Sequence, residues 1–390
     1  MDTSLLYITN QDPNGVGGGC FASHAYLKAF SKIFDGRVTL CISDTCKEQD
    51  KEIKIEATYR VPQRSIVEKS MSVYTGDMHR FTKYVLKLII NNRTHFDYCV
   101  FDHNKLAGSL IKDIRSKGIK VITIHHNYEP EFFRANTTNK IVRGLFLRHV
   151  IKSERLAYTL SDFNLFLTSA DMEKFKNIYG HCKGKCELIG AFEFDEEEKV
   201  VVRKKNDNIK IAITGSLDNE QGVDGVRYFI NDLYSVVDKT VKVIIAGKNP
   251  TDEVVELCNR YHNIELIPNP ESIDDIITDS DIYLCPTRLG GGIKLRVMDG
   301  LRLGIPVITH SCSARGYDYF IDKPYFKVFD NCLEFKEKLQ ELIALVSHNE
   351  DLAREFKDNN SEFKIECQRL YYSLFSFDAG FKRLKKAIGL

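Results

Sequence analysis

GGGIKLRVMDGLRLGIPV, Gly290 to Val307, is the stretch whose reading decides the fold. Its leading glycines leave backbone N–H groups unhindered, and the helix expected next opens with Lys294 and Arg296. That helix stops at Gly304 before Pro306. A glycine turn at a helix start offers N–H donors and a positive dipole end to an anion such as phosphate. Lys294 and Arg296 add mobile positive charge at the same place. Asp299, about one and a half turns into that helix, is placed to accept hydrogen bonds from a ribose diol. The same letters also suit a plain loop–helix–strand connection, because glycine and proline are routine helix punctuation. The flanks decide. TDSDIYLCPTR, Thr278 to Arg288, reads as a helix end and a buried strand, and IPVITH, Ile305 to His310, as a second apolar strand. Strand, glycine turn, helix and strand form the α/β unit that holds ligands at the carboxyl edge of a parallel sheet.

Working outward, the same alternation fills the chain. Behind Asp207, strands are expected at IKIAITGSL, VKVIIAGK and NIELIPN, with helices over 223–237, 251–261 and 271–278. In the first half, SLLYITN runs into the glycine loop NGVGGG and a helix from Cys20 to Phe34. Strands follow at RVTLCIS, FDYCVFDH, KVITIHH and DFNLFLTS, with helices over 105–117 and 170–179. Residues 45–75 are polar and suggest an irregular excursion. The βαβ rhythm implies mostly parallel sheets covered on both faces. A chain of 390 residues exceeds the size at which one core keeps growing, so two domains are expected. The charged run FEFDEEEKVVVRKKND, Phe192 to Asp207, marks the boundary. The class is α/β, with Rossmann-like domains over 1–195 and 205–375. The tail is helical from Leu333, and 376–390 forms a closing helix that packs back towards the first domain.

A net charge of +1 argues against nucleic acid as the main partner. The 11 cysteines are scattered, several of them inside apolar runs (Cys41, Cys99, Cys285), and no signal peptide is read ahead of Leu5. Reduced thiols in a cytoplasmic protein are the simplest account. His181, Cys182 and Cys186 in GHCKGKC lack the second close pair of a zinc site and read as a surface turn. No apolar run reaches the roughly 20 residues that span a bilayer. In Asn139 to Leu160, Ile141, Leu145, Val150 and Leu156 accompany Lys140, Arg143, Arg148, Lys152 and Arg155. Such a basic amphipathic helix can hold a protein at the inner face of a membrane through anionic headgroups. The simpler reading is a surface helix packed on its own sheet.

Taken together, these residues resemble the retaining family 4 glycosyltransferases, glycosyl transferases group 1, of the two-Rossmann GT-B fold. The likeness is best over Ile209 to Pro306. ITGSLDNEQGVDGVRYF resembles the first strand, loop and helix of that group's second domain, VKVIIAGK its second strand, and GGGIKLRVMDGLRLGIPV its donor signature. SCSARGYD stands where the group has a small loop, and YSLFSFDAGFKRL resembles its closing helix. One departure is plain. The group's commonest signature is Glu, seven residues, Glu; here Gly291 and Asp299 hold those positions, although a glycine variant followed by GIKL occurs in the group.

The resemblance implies two Rossmann-like domains facing each other across a cleft, an acceptor-side first domain and a second that binds a nucleotide-sugar. Gly291, Gly292 and Ile293 would present amides to diphosphate and sugar, Lys294 would neutralise the leaving phosphate, and Asp299 would hold the ribose. Ser216 and Asn219 would face the same site. The group's usual second basic residue is missing from GSLDNEQG, with Arg288 or Arg296 as its substitute. Base recognition would fall to Ile267–Ile273. From the first domain, Gly17, Gly18 and Gly19 would approach the donor or acceptor. His126 would hydrogen-bond the sugar or leaving phosphate, with Glu129 as a further candidate, while His125 fits less well.

The reaction so implied moves a sugar from a nucleoside diphosphate to a hydroxyl of a saccharide or lipid-linked glycan, with retention, in polysaccharide or glycoconjugate biosynthesis. Asp279, Ser280 and Asp281 spell the Asp-x-Asp that transferases of another fold use for a metal. Here they fall at a helix-to-strand junction, where such residues form turns. No metal or other cofactor is expected. The alternatives are a nucleotide-sugar epimerase of similar fold and a non-catalytic nucleotide-sugar-binding partner.

Overall fold

The structure, a computed structural model, describes residues 3–13, 15, 18–46, 52–75, 81–91, 95–137, 139–192, 208–347 and 362–390. Gly17, and the boundary stretch beyond Phe192 as far as Asp207, lie outside the described residues. The chain divides into two units, Met1–Asp195 with Phe375–Leu390, and Glu196–Leu374.

In the first unit the expected apolar runs form parallel strands. They are β1 (Leu5–Thr9), β2 (Val38–Ser43), β3 (Ala57–Val61), β4 (Tyr98–Asp102), β5 (Lys120–His125), β6 (Phe163–Phe166) and β7 (Lys185–Leu188). Their order across the sheet is β3-β2-β1-β4-β5-β6-β7. Every residue of β1, β2 and β4 is buried, as a strand covered by helices on both faces requires. The sheet grows one way from β1 to β3 and the other way from β4 to β7. The order in which strands are added thus reverses between β1 and β4, which opens a crevice at their carboxyl ends. The register pairs Thr9 with Asp102 and Asp102 with Ile124, so His125 and His126 emerge just beyond Asp102.

The second unit repeats the plan with β8 (Lys210–Ser216), β9 (Lys242–Lys248), β10 (Ile264–Pro268), β11 (Ile282–Cys285), β12 (Val307–His310) and β13 (Phe326–Phe329). Their order is β10-β9-β8-β11-β12-β13, all parallel, with the reversal between β8 and β11. Ile211, Val243, Ile282 and Ile308 from four strands meet Phe229, Leu233 and Phe335 in the core.

Three strands were not foreseen, and each is an edge: β3, β7 and β13. An edge strand has one neighbour and an exposed flank, so its sequence lacks the continuous apolar run of a central strand. Thr58, Tyr59 and Arg60 of β3 are exposed. The irregular excursion expected over 45–75 therefore carries β3 and a helix, Ile66–Thr75. The helix expected over 223–237 is instead Glu220–Tyr228, a π turn at Phe229–Leu233 and a 3-10 turn at Tyr234–Val236. The widened turn directs Phe229, Ile230 and Leu233 into the core together.

The tail contributes Cys332–Ser347 to the second unit, and the final helix, Phe377–Ala387, to the first. In that final helix Arg383 Nε donates to Ile189 O at 2.9 Å, and Gly380 lies directly beneath the Phe192 ring. Among the described residues no helix is long and apolar enough to cross a membrane.

Candidate functional site

In the second unit the glycine turn leaves β11 at the sheet's reversal point, beside the loop that leaves β8. Gly290 has φ 89° and Gly292 φ 69°, backbone that glycine adopts without the cost a Cβ would bring. A Cβ on Gly290 would lie 2.8 Å from Lys294 Nζ, so the side chain of Lys294 folds back over its own turn. Its ammonium donates to Gln221 Oε1 and to Gly291 O, each at 3.2 Å, and the residue is only 8% exposed. Tyr317 anchors the turn from beneath, donating to Lys294 O at 2.7 Å.

The helix after the turn starts later than expected, at Arg296, and ends at Arg302. Leu295 occupies the cap position without a side-chain cap, and i→i+3 bonds from Val297 N to Lys294 O and Met298 N to Leu295 O tighten the entry. Lys294 therefore stands in the turn itself, and Asp299 in the first helical turn rather than one and a half turns in. The Asp299 carboxylate lies 3.8 Å from the Arg302 guanidinium, which Asp274 grips with both oxygens.

The two candidate arginines separate. Arg288 is bound through two nitrogens to Asp224 and stacks 4.4 Å over the Tyr228 ring, so its charge is spent within the unit. Arg296 reaches the end of β8, donating to Thr214 O at 3.2 Å with its guanidinium against Gly215. Asn219 caps Glu220–Tyr228, its Oδ1 accepting from Gly222 N at 2.9 Å, while Ser216 ends β8 half-buried. Ser311–Ala314 forms a single helical turn; Ser313 Oγ donates to Thr287 O, and Cys312 Sγ to Gly290 O. Asp279 and Asp281 are engaged structurally, Asp279 with Lys210 Nζ at 2.7 Å and Asp281 with Lys210 N at 2.9 Å.

In the first unit the crevice holds a buried cluster of imidazoles and carboxylates at the ends of β4 and β5. His126 Nε2 donates to Asp102 Oδ1 at 2.6 Å. The His126 ring stacks on His103 at 3.9 Å, with 13° between planes. Gln11 Nε2, a donor, lies 3.2 Å from His103 Nε2, which must therefore accept. The His103 proton then sits on Nδ1, 3.4 Å from Glu129 Oε1, and Lys105 Nζ lies 3.5 Å from the other Glu129 oxygen. The stacked rings thus turn opposite nitrogens, His126 Nε2 and His103 Nδ1, to their own carboxylates. His103 sits at φ 108°, a strained backbone for a side chain.

Burial raises the Asp102 pKa, but the charge and hydrogen bond of His126 and the nearby His103 outweigh it and hold the carboxyl at about 2. Burial, with His126 adding to it, lowers His103 to about 4, so it is neutral at pH 7. Glu129 is also buried, yet Lys105 and His103 keep it at about 2. Behind them Glu154 accepts from Asn104 Nδ2, Glu129 N and Tyr179 OH at 2.8–2.9 Å. Burial dominates there and pushes its pKa up to about 8.

His125 is satisfied internally. Its Nε2 donates to Asn164 Oδ1, its Nδ1 accepts from Asn104 Nδ2, and its ring stacks on Phe166. Asn127 Oδ1, by contrast, is buried without a hydrogen-bond partner. Gly18 and Gly19 open the Gly18–Ile33 helix, exposed, with the Gln11 amide lying across Gly19. Cys182 and Cys186 bring their thiols to 3.2 Å, and among the described residues they form part of no group of metal-ligating side chains.

One group among the described residues, Asp102, His103 and His126, brings metal-ligating atoms within 4.8 Å of one another. A metal must lie in the plane of each imidazole it binds, and rings stacked face to face at 3.9 Å do not share such a point. The arrangement suits proton-fixed hydrogen bonding better. Asp102, His103, Gln11 and Gln221 were not singled out from sequence. For Asp102 and His103 a signal existed, since they end an apolar strand as His126 does; Gln11 and Gln221 carry none.

Two doubly wound parallel sheets, each opening its crevice at a reversal point, define the GT-B class of fold. Residues 208–344 match the family model Glycosyl transferases group 1. The fold is shared over nearly the whole chain with solved glycosyltransferases. Anabaena Alr3699/HepE in complex with UDP is 10% identical with a TM-score of 0.66, covering 99% of both chains. A glycosyltransferase from Rickettsia africae is 13% identical at 0.67, covering 100% of this chain and 99% of that one. WaaG, a glycosyltransferase of lipopolysaccharide biosynthesis, is 14% identical at 0.66, covering 99% and 100%. A 44.6 kDa uncharacterized protein of the Klebsiella pneumoniae cps region is 23% identical over 244 residues, 57% of this chain. The match spans 59% of that relative's length.

Proposed function

We propose that the chain is a glycosyltransferase that moves a sugar from a nucleoside-diphosphate sugar to a hydroxyl of a saccharide or lipid-linked acceptor, with retention and without a metal. The observation that carries this reading is Lys294, a buried ammonium folded over a positive-φ glycine turn at the reversal point of the second sheet. The match of residues 208–344 to group 1 glycosyl transferases and the UDP complex of HepE support it. The cps-region relative favours polysaccharide biosynthesis as the setting.

In this reaction the bond from the anomeric carbon to the diphosphate breaks and a bond to the acceptor oxygen forms. The acceptor's proton leaves with the diphosphate. Lys294 and the amides of Gly291 to Ile293 stabilise the charge that grows on the leaving group. Arg296 supplies the second cation, Asp299 binds the ribose, and Ser216 contributes a hydroxyl from the end of β8. His126, whose Nε2 is committed to Asp102, offers Nδ1 to a sugar hydroxyl.

The test is a donor panel of UDP-, GDP-, ADP- and CMP-sugars, with and without EDTA, read by thermal shift and slow donor hydrolysis. One donor should stabilise the protein and be cleaved equally in EDTA. Lys294→Ala should lower cleavage by about 10²–10³-fold with the melting temperature retained. Unchanged cleavage would refute the site, and conversion of the sugar without loss of the nucleotide would indicate an epimerase. Stabilisation by a donor that no saccharide or lipid-linked acceptor renders reactive would indicate a binding-only partner.

A further inference from the structure

The helix Lys140–Leu160 is supported along only part of its length. From Val150 onward it buries Val150, Ser153, Glu154, Ala157 and Tyr158 against the first unit. Residues 140–149 contain no buried residue. At about 1.5 Å per residue that is roughly 15 Å of helix with no fully buried side chain, Arg143, Phe146, Leu147 and His149 being half-buried. It is nonetheless a formed helix, capped by Asn139 Oδ1, which accepts from Ile141 N and Val142 N. A Cβ on Gly144 would meet nothing within 4 Å.

The composition of this projection selects the cover. Ile141 is 75% exposed, Leu145 50% and Val142 38%. From Asn139 to Ser153 there is no acidic residue, while Lys140, Arg143, Arg148 and Lys152 are basic. At 100° per residue, Ile141, Leu145, Arg148 and Lys152 fall on one face. Read from the free end towards the body, that face is apolar, apolar, basic, basic. An acidic protein partner would need no apolar tip, and an apolar groove would need no basic base. A bilayer presents both layers in this order, acyl chains inside and phosphates outside.

We propose that residues 140–152 form a docking element for an anionic lipid surface. The free end enters the headgroup boundary through Ile141 and Leu145, and Arg148 and Lys152 engage lipid phosphates. The element leads, through the Glu129–Asn136 helix, to the His126 loop, so docking would hold that loop near a membrane-borne substrate. The docking itself does not depend on the proposed transfer reaction.

The whole protein is tested for flotation with vesicles of phosphatidylglycerol and phosphatidylcholine, and with phosphatidylcholine alone, in the absence of any donor. Binding is expected to the anionic vesicles and to weaken at least tenfold in 0.5 M salt, a bulk value at which the screening length falls to a few Å. The double variant Arg148→Glu, Lys152→Glu should lose it at all salt concentrations, and Ile141→Ser with Leu145→Ser should lose what salt leaves. Both pairs should keep the wild-type melting temperature and wild-type donor hydrolysis. The chain has no tryptophan, so Leu145→Trp supplies a single reporter whose emission should shift to the blue on anionic vesicles only. Absent flotation, binding untouched by both double variants, or an unshifted emission would overturn the proposal. Failure of the donor panel would leave these readouts standing.

Discussion

Asp102, His103, His126 and Glu129 act as one object, because each carboxylate fixes the nitrogen by which its imidazole is held. Asp102→Asn preserves the shape but removes the carboxylate charge and allows an amide N–H to face His126 Nε2, which reverses the hydrogen bond. A misplaced hydrogen bond of this kind should lower donor turnover by about 10²-fold with a small change in melting temperature. Kinetics on purified variant and wild type decide it, and equal turnover would remove Asp102 from the scheme.

Protonation in this cluster also sets stability, in two directions. His103 and His125 titrate at about 4 and about 3 when folded, below their ordinary 6.5. Their contribution is complete above pH 6.5 and is lost as pH falls through those folded values. Glu154 has the opposite sign: raised to about 8, it contributes fully below its ordinary carboxylate range and loses that contribution as pH rises through 8. Stability should peak near neutral pH. Glu154→Gln, which keeps a carbonyl acceptor and never ionises, should abolish the alkaline fall in melting temperature while leaving the acid fall. A variant that still loses stability between pH 6.5 and 9 as the wild type does would reject Glu154 as its source.

At the scale of elements, the glycine turn depends on close approach. The helix Arg296–Arg302 lies so near its sheet that a Cβ on Gly300 would sit 2.7 Å from Tyr283 Cδ1 and 2.8 Å from Val307 Cγ2. Gly222 brings the start of Glu220–Tyr228 against Ser216 O in the same manner. Gly300→Ala should therefore cost about 1–3 kcal/mol of stability through overpacking, although alanine is normally the better helix former. Urea denaturation measures it; a neutral or stabilising result would mean that the helix shifts freely. The apolar runs of the central strands and the glycine turn were legible in sequence because burial on both faces imposes them. Edge strands β3, β7 and β13 were not, since one paired side imposes little.

At the scale of the molecule, the chain belongs to its first unit twice, at Met1–Asp195 and again at Phe375–Leu390. The return is held by contacts as tight as those in a core, with Gly380 under Phe192 and Arg383 on Ile189 O. Gly380→Leu should displace the Phe377–Ala387 helix and lower the stability of the first unit by several kcal/mol, on the order of a severe core mutation. Urea unfolding followed by hydrogen exchange should show losses in the first unit for Gly380→Leu and in the second for Gly300→Ala. Matching losses in both units from either change would mean that the chain unfolds as one cooperative body.

The sequence by itself determined the α/β class, the central strands, the glycine turn with Lys294 and the candidacy of His126. Those features follow from local necessities: continuous apolar runs, positive-φ glycine and polar residues at strand ends. Tertiary structure alone decided that Arg288 is paired within the unit while Arg296 reaches the end of β8, because the pairing of Arg288 with Asp224 joins positions 64 residues apart. It also decided that His103 stacks on His126 with the opposite nitrogen on its carboxylate, and that the first half of the Lys140–Leu160 helix holds no fully buried residue. Such outcomes depend on which groups remote segments bring within a few ångströms, and no local pattern encodes that.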